Sequence, residues 1–184
     1  MIRAIFWALA VLALPAAARA ETKPLAPGNP AGAPAVAKPA PMLNAADRAF
    51  LQEAMLEARA GAKFGRLAEQ KGVRVKEFGR RMAETQEAAR ERLSALAQNA
   101  GVSVPATLDK DRRGVRSELG EESGAAFDRA YLEAALAGHQ MAAQLLAYEI
   151  GSGEADRLKA YAADALPGVL RDLQEARGLF ASFW

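Results

Sequence analysis

The chain contains no cysteine, so disulfides, thiolate zinc sites, iron–sulfur clusters and a cysteine nucleophile are excluded from it. Its one histidine, His139, cannot serve a site that needs two imidazoles from a single copy. Aromatic residues make up 7% of the 184 positions. Sustained alternation of β-branched and polar residues is missing, and with it the mark of a strand. No glycine-rich loop follows a strand and no G-x-S-x-G elbow occurs, so neither a phosphate cradle nor a hydrolase nucleophile is in view. The serines at 94, 103, 117, 123, 152 and 182 fall mostly at expected turns. After residue 20 no run of apolar residues is long enough to span a membrane.

What is abundant is alanine, at 45 positions, nearly half of the 51% hydrophobic fraction. The first twenty residues have the layout of a signal peptide. Met1-Ile2-Arg3 is a short basic start, Ala4 to Ala17 is apolar apart from Pro15, and Ala18-Arg19-Ala20 offers small residues at both positions read by a signal peptidase. Export to the periplasm of a Gram-negative-type envelope is the expected address. Cleavage after Ala20 removes Arg3 and Arg19 and no acid, leaving 22 basic and 22 acidic side chains. A neutral chain with interleaved signs lacks the electrostatic footprint for nucleic acid.

Residues 21–42 read as a tether. Prolines at 24, 27, 30, 34, 39 and 41, set among alanine and glycine, let neither helix nor sheet run through. From residue 43 the texture changes to Ala, Leu, Glu, Arg and Gln, all strong helix formers. Apolar periodicity predicts four helical segments, over about residues 45–71, 73–99, 125–150 and 154–180. Asn44 suits the first N-cap, with Asp47 as a short capping box, and Gly101 suits a stop. The candidate core stripes are Phe50, Leu51, Ala54, Ala58, Ala62 and Phe64 to Leu67 on the first segment, Phe78, Met82, Ala89, Leu93 and Leu96 on the second, Phe127, Tyr131, Ala135, Ala142, Leu145 and Leu146 on the third, and Leu158, Tyr161, Ala165, Val169, Leu173 and Ala176 on the fourth. Gly61, Gly65 and Gly79 suggest a close approach of the first two helices. Pro167 falls inside the last segment and predicts a bend near Ala163.

Two of the turns are only a few residues long, which makes their flanking helices antiparallel neighbours. Between the second and third segments lie more than twenty residues, from Gly101 to Ser123, with a possible short helix over 109–119. A helix of 26 residues is about 39 Å long, so that link can cross the bundle. Two hairpins joined by a long crossover between helices two and three give an all-α, ferritin-like four-helix bundle over residues 43–184. An up-down bundle with a loose middle loop is the alternative.

Three stretches carry a resemblance. Phe64-Gly65-Arg66-Leu67-Ala68 leads to Val75-Lys76-Glu77-Phe78 and Met82. Ser123-Gly124-Ala125-Ala126-Phe127-Asp128-Arg129-Ala130-Tyr131 leads to His139. Leu166-Pro167 leads to Leu173 and Ala176. In this order and spacing the chain, over about residues 43–180, resembles a family of exported bacterial proteins known as a domain of unknown function (number forty-one forty-two) and described as ferritin-like. The resemblance implies a histidine on each of helices two, three and four and a glutamate on helix one, converging as a metal site. Here the helix-three position keeps His139, whereas the matching positions hold Gln86, Asp172 and Gly61. Three of the four implied ligands are thus replaced.

The same residues stand out on periodicity alone. Gln86 is four after Met82 and seven before Leu93; His139 is four after Ala135 and three before Ala142; Asp172 is three after Val169 and four before Ala176. Each falls on or beside an apolar face. A buried polar group without a partner costs about 1–3 kcal/mol, so these three must satisfy one another, a water or an ion. The first expectation is a buried polar cluster of Gln86, His139 and Asp172 in a non-catalytic bundle with a binding or structural role in the envelope, no cofactor and an unidentified envelope protein as partner. The alternative is a divalent metal held by His139 and Asp172 with Glu57 or Glu149. Enzyme activity is not expected. Leu136, not glutamate, precedes His139 by three, so the Glu-x-x-His pairs of carboxylate-bridged di-iron sites are missing. Finally, Phe180, Phe183 and Trp184 form an apolar tail that either covers one end of the bundle or serves as a small docking patch.

Overall fold

The computed structural model describes residues 43–184; the signal peptide and the tether read over residues 1–42 lie outside the described residues. Within residues 43–184 every regular element is a helix. Helix α1 (Ala45–Lys71) begins where Asn44 Oδ1 accepts the Asp47 N–H at 2.7 Å. Helix α2 (Lys76–Ala100) ends at Gly101, whose φ of 64° turns the chain into the left-handed region open to glycine. Helix α3 (Lys110–Glu121) is short and is capped by Asp109, whose Oδ1 accepts the Arg112 N–H at 2.8 Å. Helices α4 (Gly124–Ser152) and α5 (Asp156–Ala181) complete the described chain, and α5 continues through Pro167.

Two details depart from the sequence reading. Helix α2 starts at Lys76, not near residue 73, because the Val73 and Arg74 N–H groups donate to the buried Asp128 carboxylate of α4 at 3.0 and 2.8 Å. The carboxylate of Asp47 does not return to its own cap. It accepts the Glu154 N–H at 3.0 Å, tying the start of α1 to the turn between α4 and α5.

These long-range bonds give the chain directions. The start of α1 meets the end of α4 through Asp47, and the end of α1 meets the start of α4 through Asp128, so α1 and α4 are antiparallel. Arg81–Glu175 and Arg92–Asp164 ion pairs make α2 antiparallel to α5. Helix α1 packs on α2, and α4 on α5. Helices α2 and α4 therefore run the same way, and the connection between them must travel the length of the bundle. It does so. Val102 and Val104 pack at the Phe50 end, while Leu119 of α3 is buried at the Phe127 end.

The core consists of two apolar clusters. One gathers Phe50, Leu51, Met55, Leu93, Leu146, Leu158 and Tyr161; the other gathers Val75, Phe78, Met82, Leu119, Phe127, Tyr131 and Leu132. Burial of such side chains contributes about 1.5–3 kcal/mol each before entropy is counted. Between α1 and α2 the backbones close to near contact. A Cβ at Gly65 would stand 2.6 Å from the Gly79 carbonyl oxygen and from the Ala83 nitrogen, so only hydrogen fits there.

Candidate functional site

The two clusters leave a waist. Three of the four long helices meet there with small or polar residues: α1 at Glu57 and Gly61, α2 at Gln86, and α4 at Gly138 and His139. These residues, with Met82 and Tyr131, line a cavity of about 70 Å³. That is room for a few waters or one ion, and too little for an organic substrate.

His139 is buried on α4. Its Nδ1 lies 2.7 Å from the Ala135 carbonyl oxygen one turn earlier, so Nδ1–H donates and the neutral ring carries its lone pair on Nε2. Nε2 is fully buried and has no hydrogen-bond partner. The atom facing it is Asp172 Oδ2 of α5, at 4.0 Å. That gap is too long for a direct hydrogen bond. It accommodates one water bonded to both atoms, or one ion at about 2.1 Å from each. Burial holds the Asp172 carboxyl above the usual aspartate range, an effect that His139 opposes.

Gln86 enters the same cavity from α2, next to Gly61. A Cβ at Gly61 would come within 2.8 Å of Gln86 Cγ, so the glycine makes space for the amide. The structure thus brings Gln86 and His139 to one cavity and sets Asp172 beside the imidazole. A direct hydrogen bond between His139 and Asp172 is not formed, because Nε2 stands 4.0 Å from the nearest carboxylate oxygen.

The wider ligand set separates. Glu57 faces the cavity but is bound to Arg112 of α3, which also binds Glu53 and Asp109. Burial raises the Glu57 carboxyl above its usual range, and Arg112 pulls it back. Glu149 does not belong to this site. It is ten residues beyond His139 on α4, about 15 Å along the axis, and faces Asp47 at the bundle's end. Among the described residues no three His, Cys, Asp or Glu side chains are gathered to hold a metal ion.

Sequence reasoning missed Arg112 and the burial of Asp47 and Asp128. Glu53 and Glu57, four apart on α1, are a like-charge pair that calls for a facing cation. Asp47, three before Phe50 and four before Leu51, lies on the apolar stripe. The aromatic tail is divided. Phe180 and Phe183 pack against the Phe127 cluster, and Arg74 covers the Phe183 ring, its Cζ 4.2 Å from the centroid. Trp184 is 83% exposed under Arg129. The three do not form one open apolar patch, because two of them close the end of the core.

The profile of the domain of unknown function DUF4142 matches residues 32–179. The chain belongs to that family. The match begins inside the proline-rich stretch, before the first helix. No curated protein matches the chain. Among solved structures the fold is similar to that of "CopM in the Cu(II)-bound form", with a TM-score of 0.60 at 15% identity over 75% of this chain and 97% of that one. At that identity the likeness is one of fold. Among the described residues no helix is long and apolar enough to cross a membrane.

Proposed function

We propose that this DUF4142 chain is an exported, non-catalytic helical bundle, ferritin-like in its chain route, with a binding or structural role in the cell envelope. The observation that carries the reading is the state of His139. Its Nδ1–H is spent on the backbone, which fixes the ring; its Nε2 is buried opposite Asp172, and the cavity that His139 lines is too small for an organic substrate. A catalytic base needs a reacting proton within reach. This one faces Asp172 across a water-sized gap. The crossover and the paired hairpins support the ferritin-like label, and the N-terminal layout supports export. Export is tested by fractionating cells that express the full chain and weighing the released protein. A mature form that begins at Glu21 in the periplasmic fraction is expected, and an intact chain in the cytosol would refute the address.

A second reading has a specific observation in its favour. An unpartnered, buried imidazole nitrogen beside a half-buried carboxylate is a donor pair for one divalent cation, and the similar fold of CopM was solved with Cu(II). His139 and Asp172 would hold the ion, with cavity waters completing its shell. The neutral amide of Gln86 adds little as a ligand. Metal analysis of the mature protein, with His139→Ala as control, separates the readings. One equivalent of metal lost in the variant establishes the second. A metal-free protein, destabilised by the same substitution, supports a polar cluster satisfied by water.

A further inference from the structure

Where α1 starts and α4 ends, two acidic residues are sealed in the protein. Asp47 and Glu149 are each 1% exposed. Asp47 is held by the Glu154 N–H. Glu149 has no such support, since both of its carboxyl oxygens are buried without a hydrogen-bond partner. Its carboxyl folds back over Gly153, where a Cβ would collide with Oε1. Gly153 and Glu154 are consecutive, so the two carboxyl groups converge on one piece of backbone. The charges that bear on Glu149 from the packed elements are Asp47 on α1, which opposes its ionisation, and Lys159 on α5, which favours it.

Two neighbouring carboxylates in a dry interior do not both ionise. A single proton removes the conflict, because a protonated carboxyl donates to its ionised neighbour. We propose that Asp47 and Glu149 share one proton, and that this proton fastens the α4–α5 turn to the start of α1, so that this end of the bundle loosens when rising pH removes it.

Burial, reinforced by Asp47, pushes Glu149 up from the ordinary glutamate value of 4.5 to about 7. In the unfolded chain the group ionises near the lower value. The stabilising contribution of the proton is therefore complete below about pH 4.5 and is lost as pH rises through about 7.

The test compares thermal unfolding of the mature chain and of Glu149→Gln, at constant ionic strength, at about pH 5 and about pH 8.5. The amide keeps a donor for Asp47 at every pH. The melting temperature of the unmodified chain is expected to fall relative to the variant by about 5–10 °C between the two conditions. The same difference at both would overturn the proposal. Taking the difference cancels the titration of His139 and Asp172. Carboxyl-carbon NMR of the unmodified chain gives a second readout independent of any variant. One glutamate is expected to titrate near pH 7, and a set of glutamates all titrating below about pH 5.5 would refute the shared proton. Calcium or magnesium added at the higher pH tests the competing bridge. If either restores the stability of the unmodified chain but not of the variant, the bridge is a cation and the proposal fails.

Discussion

Asp128 is fully buried, yet its carboxylate stabilises a turn on another part of the chain. It accepts the Val73 and Arg74 N–H groups at 3.0 and 2.8 Å and so closes the α1–α2 turn from α4. In Asp128→Ala both amides lose a charged acceptor, each bond being worth about 1.5–3 kcal/mol. Val73 and Arg74 are themselves exposed, so water recovers part of the loss. The expected cost is about 3 kcal/mol, or a fall in melting temperature of about 6–12 °C for a domain of this size. Asp128→Asn keeps one acceptor oxygen and turns an NH₂ toward the second amide, so about half that loss is expected. Urea unfolding followed by circular dichroism measures both. A change below about 0.5 kcal/mol for the alanine variant would refute the assignment of this residue as the lock between the hairpins.

Three further outcomes follow from named contacts. Arg112→Gln leaves Glu57 buried without its cation; a loss of about 2–3 kcal/mol is expected at neutral pH, since Glu53 and Asp109 are partly screened by solvent, and it should shrink as pH falls through the raised Glu57 range toward about pH 4. Denaturant titration at the two pH values checks both the size and the sign. Gly65→Ala drives a methyl into the α2 backbone and is expected to cost about 2–3 kcal/mol, whereas Gly178→Ala, with no neighbour within 4 Å, should stabilise α5 by about 0.5–1 kcal/mol. Equal effects of the two glycine substitutions on the melting temperature would contradict the close approach of α1 and α2.

Much of the fold was legible because helix periodicity is local. The stripes of Phe50, Leu51 and Ala54, and of Phe127 and Tyr131, place those residues in the core, and Asn44 and Gly101 mark helix ends by their own chemistry. The late start of α2 was not legible, since its cause is an acceptor 54 residues away. The same limit governs the site. Periodicity put Gln86, His139 and Asp172 toward the interior, but it cannot measure a 4.0 Å gap or say which imidazole nitrogen is already engaged. Glu149 and His139 are both buried on α4. Their separation along the axis divides them, and the partner of Glu149 comes from α1. The tail of Phe180, Phe183 and Trp184 shows apolar character in sequence, but only packing distinguishes the two rings that close the core from the one that faces solvent.

Because the chain has one histidine, its imidazole can be read without assignment. Two-bond proton–nitrogen NMR of the untagged, ¹⁵N-labelled mature protein at about pH 8 tests the arrangement at the waist directly. The account predicts a single fixed tautomer, with the proton on Nδ1 and a bare Nε2. A ring protonated on Nε2, or one averaging between tautomers as in solvent, would contradict it.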